Sequence, residues 1–265
     1  MKNIVKILLA VLTGSRACSR SEKRTSLFFS FLIAAFVLSI MPTTNVCAQE
    51  EQTECNKRLL SCGKFYEGLA YYKDANKMYG FIDKTGKMVI PCQWRSVGNF
   101  SEGLALASGV NGKWGFIDKT GKVVISYQWE DAWSFNEGMA AVQDSNDKWG
   151  FVNKTGRVVV TCQWKFTELF CKGLAVVEDA NGKHGYIDKT GKVVIPCQWK
   201  RAWPFREEVA WVQNFKEKWG LIDMTGKLIT PCRWKSISPF RDGQAGVMDT
   251  KGKTYIVDKT GKIIE

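Results

Sequence analysis

Two kinds of apolar pattern divide the chain. Residues Leu27 to Met41 (LFFSFLIAAFVLSIM) form one predominantly apolar run. From Phe65 onward the apolar positions come in short bursts separated by turn residues. Leu104–Ala107 is such a burst, and Asn111-Gly112 follows it. Trp114-Gly-Phe-Ile-Asp118 then alternates, with Trp114 and Phe116 on one face and Gly115 and Ile117 on the other. Asp118-Lys-Thr-Gly121 predicts a hairpin turn: the Asp carboxylate accepts backbone N–H groups two or three residues on, and Gly supplies the positive φ. Val123-Val-Ile125 reads as the returning β-branched strand, and Gln128 to Phe135 as a short fourth one. Nothing beyond the first apolar run shows sustained helical periodicity, so the expected class is all-β.

The bursts repeat. Lys113-Trp-Gly-Phe-Ile-Asp-Lys-Thr-Gly121 recurs at Lys148–Gly156, Lys183–Gly191 and Lys218–Gly226, with weaker copies at Met78–Gly86 and Lys253–Gly261. The turn glycines Gly86, Gly121, Gly156, Gly191, Gly226 and Gly261 are each 35 residues apart, without insertion or deletion. Phe65, Phe100, Phe135, Phe170, Phe205 and Phe240 open a second phrase at the same step, and a Pro-Cys-Gln-Trp-like phrase ends at Trp94, Trp129, Trp164, Trp199 and Trp234. The repeats run 65–99, 100–134, 135–169, 170–204, 205–239 and 240–265. One such meander cannot bury its own face, so neighbours must pack on each other. Two architectures satisfy this: a closed, β-propeller-like ring of blades, or an open β-solenoid of stacked hairpins. Asn56 to Glu265 spans six times 35 residues, which favours closure, with segment 49–64 completing the last repeat.

These phrases resemble the WG (KWG) repeat family of bacterial proteins, over Phe65 to Glu265. The resemblance implies tandem β-rich repeats, a binding or scaffolding role and no established catalysis. It makes Trp114, Trp149 and Trp219, with Gly115, Gly150 and Gly220, structural signature positions. Tyr79 and His184 depart from the pattern, as does Thr254-Tyr255, which replaces Trp-Gly in the last copy.

Charge changes the picture at the N-terminus. The 265 residues carry a net charge of +12. The first 48 contribute six basic residues and one acid, so their removal leaves 12 − 5 = +7. Lys23 and Arg24 precede the apolar run, and Val46-Cys47-Ala48 follows it. That is the layout of a secretory signal spanning 1–48, with cleavage after Ala48. The chain is then expected to be exported, to the periplasm or the cell surface. The competing reading is an anchor at residues 27–41, although a span needs about 20 apolar residues. Cleavage before Cys47 as a lipoprotein fits less well, because Thr44-Asn45-Val46 does not match the usual approach to a lipidated cysteine.

Candidate chemistry is sparse. A single His argues against a Ser-His-Asp or Cys-His centre. The Asp column at 83, 118, 188, 223 and 258 holds Asn153 in the same place, which marks turn formers and not calcium ligands. There is no phosphate loop, dinucleotide fingerprint or nucleophile elbow, and no cofactor or metal is expected. Cys92, Cys162, Cys197 and Cys232 share a column with Tyr127, which reads as a packing slot, while Cys171 falls outside it. Export permits a disulfide between Cys55 and Cys62. Eight of the 11 Trp occupy the two repeat columns and are core residues. Trp133, Trp203 and Trp211 lie outside them and are the expected exposed contacts, joined by the turn lysines Lys84, Lys119, Lys154, Lys189 and Lys259 as a positive rim. The expected partner is a protein or a glycan, and not nucleic acid. A glycan-active hydrolase on a propeller scaffold, or a purely structural spacer, are the alternatives.

Overall fold

The computed structural model describes residues 51–58 and 61–264. The predicted signal at 1–48 and the alternative anchor at 27–41 lie outside them. Residues 51–58 form a helix, and no helix among the described residues is long and apolar enough to cross a membrane. The rest is β, in six antiparallel sheets. The sheets run Leu69–Trp94, Leu104–Trp129, Asp131–Trp164, Phe166–Trp199, Arg201–Trp234 and Ser236–Asp258, and are called units one to six below.

Unit three shows the plan. A two-residue strand, Asp131–Ala132, pairs with Met139–Gln143, which pairs with Trp149–Asn153, which pairs with Val158–Trp164. The expected short fourth strand is therefore present, but it opens the following sheet. The sheets of units three to six start a few residues ahead of their Phe.

Three turns shape each unit. At the Asp-Lys-Thr-Gly turn, Asp118 Oδ1 accepts the N–H groups of Thr120 at 2.8 Å and Lys122 at 3.0 Å. Gly121, at φ +85°, donates its N–H to the Asp118 carbonyl. Asn153 makes the same bonds in unit three, so a neutral side chain serves as well. A second Asx turn joins the first two long strands. Asp144 Oδ1 accepts from Asn146 and Lys148, and in unit two, where Gly109 fills that column, Asn111 takes over and accepts from Lys113. The third turn is the Glu-Gly pair. Glu67, Glu102 and Glu137 have φ of 50 to 54° and the following glycines 81 to 90°, giving the two left-handed positions of a tight hairpin turn.

Unit five places Glu208 where the other units have glycine, at φ 73°. A side chain held there is strained. Glu208→Gly should therefore stabilise the protein by about 1 kcal/mol, a rise in the denaturation midpoint measurable by urea titration.

The core lies between the sheets. Phe116, Ile125 and Trp129 of unit two pack with Phe135, Ala140 and Val142 of unit three. Equivalent clusters join every consecutive pair of units. A ring pair marks the first four seams: Phe81–Phe100, Phe116–Phe135, Phe151–Phe170 and Tyr186–Phe205, with centroids 4.6 to 4.8 Å apart. Among the described residues no core cluster joins unit six to unit one. Ile256 stays half-buried, whereas Phe116, Phe151, Tyr186 and Leu221 of the same column are fully buried.

Two residues of the 49–64 segment, Cys55 and Gly63, meet the first unit. The Gly63 N–H donates to the Tyr71 carbonyl, as Gly98 does to Leu106 and Trp133 to Ala141 in their own units. The Cys55 carbonyl lies 2.3 Å from where a Cβ on Gly86 would sit. Ile90, Ile125, Val160 and Ile195 fill that position against the turn glycines of units two to five. Among the described residues the six sheets follow one another without a closing core cluster, consistent with the open-solenoid alternative.

Candidate binding surface

Most turn lysines are engaged within the chain. Lys119 Nζ lies 3.0 Å from Glu67, Lys154 3.1 Å from Glu102, Lys189 3.2 Å from Glu137 and Lys259 3.9 Å from Glu207, each pairing with the unit before. The same carboxylates accept backbone N–H groups from Gly103, Gly138, Gly173 and Gly243, one unit on. Each glutamate therefore ties two units together. Burial alone would raise the Glu137 carboxyl, but the amides of Gly173 and Lys172 and the Lys189 ammonium outweigh it and hold the pKa below the usual range. Lys119, Lys154 and Lys189 are ties first and rim charges second. Lys84, in the first unit, stays exposed at its turn.

One seam lacks the tie. Unit four has Lys172 in the Glu column, and unit five has Glu208 in the Gly column and Met224 in the Lys column. All three partners change at the same joint. That coincidence is the signal by which the tie was readable from the repeats alone.

The cysteines are accounted for by packing. Burial pushes the thiols of Cys162 and Cys197 up to about 11, which leaves them protonated at neutral pH. Tyr127, in the same slot, accepts the indole N–H of Trp94 at 2.8 Å. Cys171 donates its S–H to the Phe205 carbonyl one unit on, as Ser101 does to Phe135 and Asn136 to Phe170. Cys55 and Cys62 are not joined by a disulfide. Cys55 sits in the 51–58 helix, its carbonyl against Gly86.

Of the three off-column tryptophans, Trp211 is not a surface residue. It is 3% exposed, stacks on Phe240 at 5.5 Å and donates its indole N–H to the Ser238 carbonyl at 3.0 Å. Its column lies in a strand whose side chains enter the seam, as Leu106, Ala141 and Val176 also do. Trp133 and Trp203 are half-buried. Trp133 stands edge-on to Trp149 at 6.0 Å, and Trp203 to Trp219 at 5.6 Å. Trp149 and Trp219 are buried, and Trp114 is half-buried in unit two, where Gly98 stands in the column of Trp133. Unit four replaces this Trp–Trp pair with Glu168 and His184.

Those two residues face an open cleft of about 550 Å³ between units four and five, walled by Phe166, Trp203 and Phe215. Phe166 is the one aromatic in a column otherwise holding Ser96, Asp131, Arg201 and Ser236. Phe215 is the one aromatic among Ala75, Val110, Ser145, Ala180 and Thr250, and it is 60% exposed. Trp133 backs the cleft from unit three, its ring 6.0 Å from Phe166. Burial raises the pKa of Glu168, whose carboxylate has no ion-pair partner among the described residues. Glu178 is held by Lys165 at 2.8 Å, and Lys200 by Glu217 at 2.5 Å. Burial lowers the pKa of His184, partly offset by Glu178, so its imidazole is neutral at pH 7. Phe166, Glu168, His184 and Phe215 were absent from the contact residues expected from sequence. Phe166, His184 and Phe215 depart from their repeat columns, and only the packing shows that they converge with Glu168.

A family profile described as "WG containing repeat" matches residues 79–114, 114–149, 149–183, 185–217 and 219–253. No curated protein matches the chain. Among solved structures it is similar to the computationally designed Ika8 protein, at 12% identity, covering 76% of this chain and 71% of that one, with a TM-score of 0.46. It is also similar to BamB from Moraxella catarrhalis, at 12% identity, covering 75% and 72%, with a TM-score of 0.43. The WD40 β-propeller domain of Doa1 matches at 14% identity, covering 74% and 76%, with a TM-score of 0.33.

Proposed function

Since the chain belongs to the WG-containing repeat family, we propose that it is an exported, non-enzymatic binding platform for a protein or glycan, acting in the periplasm or at the cell surface. The observation that carries this reading is the division of labour among its polar residues. The repeated Asp and Glu carboxylates are committed to turns and to the ties between units. Several departures meet at one seam: Lys172, Glu208 and Met224 replace its tie, and Phe166, His184 and Phe215 line the cleft between units four and five. A spacer has no reason to gather its departures at one place. A glycoside hydrolase uses a pair of working carboxylates. Glu178 is already paired with Lys165, which leaves Glu168 alone in that role.

The test has two readouts on the full chain. N-terminal sequencing of the product recovered from the cell envelope should begin at Gln49. A photo-crosslinking residue at position 215 should give a partner adduct, while one at position 110, the equivalent turn of unit two, should not. Full-length chain retained in the cytoplasm, or equal adducts at both positions, contradicts the reading.

A further inference from the structure

We infer that the cleft between units four and five is a binding site for an uncharged pyranose sugar, a unit of a neutral glycan. This deepens the platform reading above and rests on it.

The argument starts from shape and charge. A cleft of about 550 Å³ is within the range of small-ligand sites, about 300–1,000 Å³. Its aromatic walls come from two units, Phe166 from unit four and Trp203 and Phe215 from unit five. The Trp203 ring is set by edge contact with Trp219, so it presents a preoriented surface. Phe215 is held out at a turn whose Asn214 side chain accepts two backbone N–H groups, from Lys216 and Lys218.

The polar groups decide the class of ligand. An anion would meet Glu168, and a cation would meet Arg201, both in the cleft lining. Lys165 and Glu178, and Lys200 and Glu217, neutralise each other. What remains is a neutral, two-faced site that needs a ligand with apolar C–H patches for the rings and hydroxyl groups for the polar side. Hydroxyls donate to the Glu168 carboxylate and accept from the Arg201 guanidinium. A pyranose ring has both features, and a peptide lacks the dense hydroxyl edge. Keeping Glu168 half-buried without an ion partner costs stability, and a hydroxyl donor from the ligand would offset that cost.

The departures from the repeat support the assignment. Phe166, His184 and Phe215 are unlike the other members of their columns, and with Glu168 they line this one cleft. His184 in place of Trp leaves a smaller, neutral polar side chain where units three and five pack an indole. The same joint gives up its Glu-Gly-Lys tie.

The experiment is calorimetric titration of the full chain with neutral oligosaccharides of glucose, mannose and N-acetylglucosamine, with tryptophan fluorescence as a second readout. Binding of at least one series is expected. Phe215→Ala and Glu168→Gln should each weaken it at least tenfold, and Trp203→Ala should abolish it together with the fluorescence change. Phe215 is mostly exposed, so Phe215→Ala keeps the test valid if Trp203→Ala fails to fold. Val110→Ala, in the equivalent turn of unit two, should bind like the parent. No binding of any series, or binding indifferent to Phe215→Ala and Glu168→Gln, overturns the assignment. A protein adduct at position 215 without sugar binding sinks the sugar and leaves the platform standing. Cleavage of the bound oligosaccharide would overturn the non-enzymatic reading instead.

Discussion

Gly150→Ala should destabilise the protein by about 3 kcal/mol or more, while Gly138→Ala, only twelve residues away, should cost about 1 kcal/mol. The two glycines look alike in the repeat, yet they are needed for different reasons. A Cβ on Gly150 would lie 2.4 Å from the Val160 carbonyl oxygen, 2.8 Å from the Cys162 nitrogen and 2.9 Å from its Sγ. Two of those atoms are backbone, in the neighbouring strand of the same sheet. That strand shifts register between Val160 and Trp164, and the irregularity brings its backbone over the glycine. Relief would require parting the strands or moving Cys162 out of its slot. Gly138 has nothing within 4 Å of its added Cβ, and its φ of +81° is the only objection to alanine. Urea denaturation of the two variants reads the difference. Equal costs would mean that the close approach at Gly150 is not what fixes the glycine.

The same contact explains the regularity of the Trp-Gly phrase. Gly80, Gly115 and Gly185 would meet a carbonyl oxygen at 2.4 to 2.5 Å. Unit six has Tyr255 at this position, and among the described residues its sheet has no third long strand.

Local structure was readable from sequence because it depends on local chemistry. Asp118 and Gly121 specify their turn with side-chain and backbone bonds spanning a few residues, and a 35-residue period carries that turn to every unit. The seams were less readable. Glu67 and Lys119 are 52 positions apart in sequence, and neither residue alone announces the other. The substitution of Lys172, Glu208 and Met224 at one joint held that information, but only a comparison between columns extracts it. Trp211 was misplaced because a column that accepts Tyr, Leu, Ala, Val and Trp looks permissive. The structure shows it to be interior, with size absorbed by the facing unit.

All of this rests on the units being unable to stand alone. In unit three, Ala140, Val142 and Val152 are buried against unit two, while Ala141, Phe151 and Val160 are buried against unit four. An isolated sheet would expose both sets to water. Chains below about 40 residues rarely fold without staples, and residues 131–164 hold one cysteine and no disulfide. The most direct measurement is therefore thermal unfolding, followed by circular dichroism and amide exchange, of residues 131–164 alone beside the full repeat array. The account predicts no cooperative transition and no protected amides for the single unit, and a cooperative transition for the array. A single unit that melts cooperatively with protected strands would contradict it.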